Sequence, residues 1–441
     1  MGIPDEFWIG FVIMVGFFLK LIYDTRIGWN AGTVGAGLWM DIENGHTEGA
    51  GHLAVLHYYF THHMLPGIDP RTAPCFSNPP LYYITSSLLL EILNRLLGWS
   101  ISISIHLVQS MNVIYVMIGE CCGIGILQKY GIRGRKLVVS VLFLLFFPTF
   151  YHLSGAMDGS AMCFMYMMLA LNSSLSWFAS RRKKALRSAA ICIGLGLLVS
   201  PCAAIVLPPV IYLIRKGATD GRRNDTPVGE QARMFAIIVA VMGLSWQIYQ
   251  MIRFGLPLFY VNTSAMTPTT GSFMERLSIP SLSMLTHLHT EGVSALESNV
   301  IAQTLKTAVL DFTAVNIETK PPEVIACFLV FLVLAIAVLQ HAMTIRVLLS
   351  MRIDHVYAVF LIIGELTCVA GYLAVCCAYP FTEIMNFKAV APVMIFPLVG
   401  TALLGGENTD GAGENLASAA MSAMILVMSL VTAFLYGYYA I

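Results

Sequence analysis

The strongest constraint on the fold of this chain is a series of apolar runs, each long enough to cross a lipid bilayer. The clear runs lie at residues 7–23, 100–127, 137–153, 159–179, 234–252, 323–345, 355–378, 389–404 and 416–440. About 20 apolar residues span the roughly 30 Å of hydrocarbon in a bilayer. Charged residues make up only 11% of the chain, against roughly 25% in a soluble domain. The sequence therefore excludes a soluble fold and predicts an all-α polytopic membrane protein.

The distribution of positive charge predicts how two further segments are placed relative to the membrane. Residues 79–97 form an apolar run that carries charged side chains, and residues 188–214 are too long for one crossing and are interrupted at Pro201. Lysine and arginine cluster at residues 129–136, 181–187, 215–233 and 346–352. Because short cytoplasmic loops collect basic residues, these clusters should share one side. They do so if residues 79–97 lie on the outer surface and residues 188–214 cross twice as a bent hairpin, which predicts about eleven spans.

The predicted topology makes the whole chain, residues 1–441, a single integral membrane domain. Its parts are a first span at 1–23, an outer loop with surface helices at 24–99, core spans at 100–252, a second outer loop at 253–322, and carboxy-terminal spans at 323–441. Loops longer than about 15 residues are usually functional. The expected location is the plasma membrane, with the amino terminus in the cytoplasm and the active site on the outer face.

Several classes of function find no support in the sequence. Lys+Arg and Asp+Glu are 25 each, so there is no global basic field to attract nucleic acid, and we expect no nucleic-acid partner. The ten cysteines include two adjacent pairs, at residues 121–122 and 376–377, rather than the C-x-x-C spacing of a metal or redox site. No P-loop or dinucleotide-binding fingerprint is present.

The first outer loop holds most of the polar chemistry. Asp41 follows an apolar run and is predicted to lie at the membrane surface, where a carboxylate can take a proton from an acceptor hydroxyl or hold a divalent cation. Glu43, His52, Asn78 and Tyr82 are candidate substrate-binding or supporting residues in the same loop. For His52 the alternative is an ordinary hydrogen-bonded surface histidine.

Two charged residues elsewhere complete the set of candidates. Asp158 lies between two predicted spans, where it can cap the following helix, take part in catalysis, or do both. Lys388 lies at the outer boundary of a later span. Its ammonium group either extends along the membrane surface or binds a lipid phosphate.

Together, these residues resemble the GT-C membrane glycosyltransferases. The resemblance rests on Asp41, the Gly51-His52-Leu53 segment, Leu65-Pro66, the Pro79-Pro80-Leu81-Tyr82-Tyr83 segment, Asp158 and Phe387-Lys388-Ala389. The most similar members are bacterial relatives of protein O-mannosyltransferases and of lipid A aminoarabinose transferases. The match covers the first 180 residues best. Two positions depart from the family pattern: Asn78 replaces the usual histidine, and Lys388-Ala389 replaces the usual Arg-Tyr pair.

The resemblance implies a GT-C-like fold with an outer-facing cavity beneath the first outer loop, and it also implies a reaction and partners. It implies inverting transfer of a sugar from a polyprenyl-phosphate-linked donor to a glycan, lipid or protein acceptor at the outer face. Asp41 would be the general base and Asp158 the second carboxylate, with an optional divalent cation held by these two residues, and Lys388 would bind the donor phosphate.

Two other functions stay open at this level. A secondary transporter also has about a dozen spans, but transporters usually contain paired broken helices, and only the segment around Pro201 looks broken here. The ionisable residues within predicted spans are Lys20, Glu120 and Glu365, of which the first two are expected to extend toward the cytoplasmic surface. The third possibility is a catalytically inactive GT-C relative that binds lipid.

Overall fold

The chain is helical throughout the part that the computed structural model describes, which comprises residues 5–27, 51–219, 228–264, 266–286, 298–310, 320–350, 353–404 and 412–439. Within these residues the β-structure is limited to an isolated bridge between Pro268 and Phe381. The helices are α1 (Asp5–Arg26), α2 (His52–His62), α3 (Leu81–Glu91), α4 (Ile101–Lys129), α5 (Gly134–Phe146), α6 (Pro148–Gly155), α7 (Ser160–Ser180), α8 (Lys183–Leu197), α9 (Leu207–Thr219), α10 (Val228–Phe254), α11 (Phe273–Arg276), α12 (Leu282–Thr286), α13 (Val300–Val309), α14 (Lys320–Leu349), α15 (His355–Ala378), α16 (Ile395–Leu404) and α17 (Ala412–Tyr438).

Nine of the described helices are long and apolar enough to cross a membrane, and a tenth span is possible if the bent pair α5 and α6 counts as one. The protein is therefore a multi-pass membrane protein. The predicted eleventh crossing corresponds to α8, which at 15 residues is shorter than a typical span. Helix α3 continues directly into a π-helix at Ile92–Leu96, and this segment is not among the helices long and apolar enough to cross a membrane. The location of residues 79–97 on the outer surface stays a prediction.

Prolines explain the two breaks in the bundle. Pro201 begins a 3-10 helix (Pro201–Val206) between α8 and α9, and the side chain of Ser200 caps it by accepting a hydrogen bond from the amide of Cys202. Pro148 is the first residue of α6, and Phe147 before it has an extended backbone, as residues before proline usually do. The resulting bend between α5 and α6 is 45°. The sequence revealed the first break but not the second.

Helix α7 and the span at Thr382–Leu404 form the centre of the bundle. In their most apolar stretches 67% and 72% of the residues are buried, compared with 22% in α1. Helix α7 packs against α4 and α8. Gly119 of α4 lies so close to the ring of Phe164 that a Cβ atom would be 2.4 Å from it. A glycine is needed there for the two helices to approach each other.

The basic loops meet at one end of the bundle, here called the basic end. The hydroxyl of Tyr130 donates to the carbonyl of Tyr357 at 3.3 Å, and the guanidinium of Arg181 lies 4.5 Å from the ring of Phe178 and next to Gly217. These contacts join the end of α4 to the start of α15, and the end of α7 to the end of α9. They confirm that residues 188–214 turn back as a hairpin, because Arg181 and Gly217 flank it.

The charged residues inside the spans are paired. We expected Lys20 and Glu120 to extend toward the membrane surface, and this prediction is wrong, because both side chains are fully buried and form an ion pair of 2.9 Å. Lys20 also donates to the carbonyl of Leu145 at 2.8 Å. Glu365 of α15 pairs with His341 of α14 at 2.5 Å.

Candidate functional site

Three predicted site residues from distant parts of the chain come together at the end of the bundle opposite the basic end. They are His52 at the start of α2, Asp158 in the turn before α7, and Lys388 in the 3-10 helix Phe387–Met394. Asp158 and Lys388 are close enough to His52 to affect its pKa, and Lys388 and His52 are close enough to Asp158 to affect its pKa. All three residues are of intermediate exposure, so the cluster lies at the edge of the protein core rather than deep within it.

Tyr83 links His52 to Asn78. The Nδ1 atom of His52 lies 2.5 Å from the Tyr83 hydroxyl, and the amide nitrogen of Asn78 donates to the same hydroxyl at 3.4 Å. The His52 and Tyr83 rings are stacked, with centroids 6.0 Å apart. The Tyr83 side chain is only 2% exposed, so the phenol is a buried support for the two more exposed groups.

Tyr82, the other tyrosine of this segment, lies behind the Asp158 turn. Its hydroxyl accepts a hydrogen bond from Asn112 of α4 at 3.3 Å, and Asn112 also donates to the carbonyl of Ala156 at 2.6 Å. Tyr82 is 2% exposed. It therefore helps to place the turn that carries Asp158.

The Asp158 turn is tightly packed and partly capped. One carboxylate oxygen accepts a hydrogen bond from the amide of Ser160 at 2.8 Å, so Asp158 does contribute to the start of α7. Gly159 lies against the side chain of Val199, and a Cβ atom there would be 2.6 Å from it. The capping contact uses one oxygen and is compatible with a second role for the carboxylate.

Charge and burial set the protonation states of the cluster. Burial lowers the pKa of His52, and Asp158 only partly offsets that effect. Burial raises the pKa of Asp158, but Lys388 and His52 act in the opposite direction and leave this pKa below its ordinary value. Burial raises the pKa of Tyr83 well above the usual value of a phenol. At neutral pH the cluster therefore contains a neutral imidazole, a carboxylate and a neutral phenol.

The segment that carries Asn78 is held by polar residues of α10. Trp246 donates to the carbonyl of Ser77 at 3.2 Å, and the Gln250 amide donates to the same carbonyl at 3.2 Å. Tyr249 donates to the carbonyl of Pro66 at 3.1 Å. Our sequence reasoning missed these residues. Glutamines near the end of an apolar helix were the available signal, since buried amides need partners.

The second long loop holds the segment that leads to Lys388. Glu383 accepts hydrogen bonds from the amide of Thr267 at 3.0 Å and from its hydroxyl at 2.8 Å. The amide of Thr269 donates to the carbonyl of Pro380 at 2.8 Å. Next to Lys388, the amide of Phe387 donates to Thr307 of α13 at 3.1 Å. Both long loops therefore position the cluster.

Asp41 and Glu43 lie outside the described residues. Among the residues that are described, no group of three or more His, Cys, Asp or Glu side chains is arranged to hold a metal ion. The positive charge next to Asp158 is the ammonium group of Lys388, so this part of the site gives no argument of its own for a divalent cation.

Comparisons with known proteins do not assign the chain. No protein-family model matches it, and no curated protein matches it significantly.

Proposed function

We propose that this protein is a membrane glycosyltransferase of the GT-C type, which transfers a sugar from a polyprenyl-phosphate-linked donor to a glycan, lipid or protein acceptor. The proposal places the protein in the plasma membrane, with its amino terminus in the cytoplasm and the cluster of His52, Asp158 and Lys388 on the outer face.

The observation that carries the proposal is the meeting of His52, Asp158 and Lys388 at one end of the bundle. The resemblance selected these residues from motifs far apart in the sequence, and packing brings them together around the Asn78–Tyr83 segment. A cation, a carboxylate and a neutral imidazole are suitable groups for departure of a phosphate and for handling of a proton.

In the proposed reaction, an acceptor oxygen attacks the anomeric carbon of the donor sugar. The bond from that carbon to the phosphate oxygen breaks, and the polyprenyl phosphate leaves with the bonding electrons. Asp41 takes the proton of the acceptor hydroxyl, so one displacement inverts the anomeric configuration. The ammonium of Lys388 stabilises the negative charge on the departing phosphate. The carboxylate of Asp158 holds the ammonium of Lys388 in place by charge.

A groove between α9 and α10 supports a lipid-linked donor. Its volume is about 470 Å³, and its lining residues are apolar, running from Ile214 near the basic end to Phe259 beyond α10. The amide of Phe259 donates to Gln247 at 3.0 Å, and Gln247 lies between Trp246 and Gln250, which hold Ser77. An isoprenoid chain in this groove would be directed toward the cluster.

Native mass spectrometry of the protein extracted from its own membranes tests the proposal. We expect a co-purified polyprenyl phosphate, with or without a sugar, and binding of added polyprenyl phosphate in preference to the polyprenol without phosphate. Asp41→Asn and Asp158→Asn should express and fold but lose transfer. Ordinary phospholipid alone, with no binding of added polyprenyl phosphate, would overturn the proposal. Binding without transfer to any acceptor would indicate an inactive relative.

A secondary transporter is the second candidate function, and the buried pair of Lys20 and Glu120 is the observation that favours it. Ionisable groups inside a bundle often mark ion pathways. Flux of a solute into proteoliposomes, abolished by Glu120→Gln but not by Lys388→Met, would support transport. The transferase proposal predicts the opposite pattern, with sugar transfer sensitive to Lys388→Met.

A further inference from the structure

The hydroxyl of Tyr83 is the junction between His52 and Asn78, and its surroundings restrict how it can bond. The ring lies between the imidazole of His52, at 6.0 Å, and the parallel ring of Tyr59, at 6.5 Å between centroids. The side chain is 2% exposed. Neither the orientation of the ring nor the position of the hydroxyl can change without disturbing both neighbours.

Hydrogen-bond accounting assigns a direction to each contact. A phenol has one proton to donate and can accept, whereas the amide nitrogen of Asn78 can only donate. Asn78 donates to the Tyr83 oxygen, and within the described residues the acceptor next to the buried phenolic proton is Nδ1 of His52. If the phenol accepted from both neighbours, its own proton would be buried without a partner, which costs free energy.

This direction determines the tautomer of the imidazole. With Nδ1 accepting from Tyr83, a neutral His52 carries its proton on Nε2. In the described part of the chain Nε2 has no hydrogen-bond partner, and His52 is partly exposed. The Nε2–H group is therefore available as a donor to a ligand oxygen beside Lys388.

We propose that Tyr83 is a positioning residue that holds His52 as a neutral hydrogen-bond donor, with Nε2–H directed to a phosphate oxygen of the substrate. The inference rests on the proposed function, which supplies the phosphate. It assigns His52 to the leaving phosphate rather than to the acceptor hydroxyl, because a nitrogen that already carries a proton cannot act as the base.

Two substitutions of His52 separate these roles. The amide nitrogen of glutamine reaches the place of Nε2, whereas the amide of the shorter asparagine reaches only that of Nδ1. His52→Gln should keep most of the affinity for polyprenyl phosphate and most of the transfer rate. His52→Asn should lose about ten- to a hundred-fold in both, as expected for a hydrogen bond to a charged group. Equal loss of transfer in both variants, with unchanged phosphate affinity, would overturn the donor role.

Nitrogen-15 NMR of the histidine-labelled protein tests the positioning role without any assay of activity. The signals of His52 are those that disappear in His52→Gln. In the wild type we expect the His52 signals of a bare Nδ1 and a protonated Nε2. Tyr83→Phe should give an averaged or reversed pair of signals. The matched control is Tyr59→Phe, because the Tyr59 hydroxyl has no hydrogen-bond partner among the described residues. This control should leave the His52 signals unchanged.

The outcomes are distinguishable from failure of the proposed function. If the wild type does not bind polyprenyl phosphate, the transferase proposal and the phosphate role of His52 both fail. If it binds, but Tyr83→Phe changes neither the tautomer nor the phosphate affinity, only the inference about Tyr83 fails.

Discussion

Lys20 of α1 and Glu120 of α4 form an ion pair of 2.9 Å with no exposed side-chain surface. A lone charge in the bundle would be costly, but the pair as a whole contributes little, because burying both groups offsets their attraction.

This balance predicts the result of a double substitution. Lys20→Met alone should destabilise the protein by about 3–5 kcal/mol, because it leaves a buried carboxylate without its partner. Adding Glu120→Leu should recover most of that loss. Thermal unfolding in detergent measures both effects. If the double variant is as unstable as the single variant, the ion pair is not the reason for the loss.

Tyr436 should anchor the last helix. Its hydroxyl donates to the carbonyl of Val309 and contacts Nε2 of His152, so it joins α17 to α13 and α6. Tyr436→Phe should lower the free energy of unfolding by about 1–3 kcal/mol, the cost of leaving buried groups without a partner. Tyr438→Phe is the control, since that side chain is 66% exposed. Equal stability of the two variants would argue against the anchor.

Acidification should destabilise the protein through His52. Because burial lowers the pKa of His52 below its ordinary value of 6.5, the unfolded chain takes up a proton there before the folded chain does. Stability contributed by the neutral imidazole is therefore complete above about pH 6.5 and is lost as the pH falls toward the folded pKa. His52→Gln should flatten the dependence of the unfolding temperature between pH 7.5 and pH 5, to about the extent of one titrating group.

Lys388 should determine affinity for the phosphate of the donor. Lys388→Met removes the only charge of that side chain, and we expect binding of polyprenyl phosphate to weaken by about ten-fold or more, as for loss of a charge-assisted hydrogen bond. Lys388→Arg keeps the charge and should retain most of the affinity. Lys184→Met, at the basic end, is the control. A titration followed by native mass spectrometry measures all four proteins. Unchanged affinity of Lys388→Met would exclude a phosphate contact.

The sequence predicted the helical membrane architecture because the information lies in local hydropathy and charge. The bent hairpin at Pro201 was readable from one proline between two basic clusters. The bend at Pro148 was not, since the residues on both sides of it are continuously apolar. Likewise, the pairing of Lys20 with Glu120 depends on how α1 packs against α4, which no local pattern encodes.

The candidate site shows the same division. The sequence predicted each site residue separately: His52, Asp158 and Lys388. Their proximity depends on packing between distant segments, which the sequence does not show. The sequence indicated Tyr83 only as part of a motif, and its role as a junction follows from its contacts with His52 and Asn78. The α10 residues that hold Ser77 were missed because a polar residue on an apolar helix does not reveal its partner.

The order of the site residues along the chain has a consequence for biogenesis. His52 and Asp158 are synthesised early, whereas Lys388 follows Asp158 only after a further half of the chain's length has been added. Until then Asp158 lacks the cation that favours its charged form. The nascent protein therefore lacks one member of the cluster until the Lys388 segment arrives, and completion of the site is a late step of assembly.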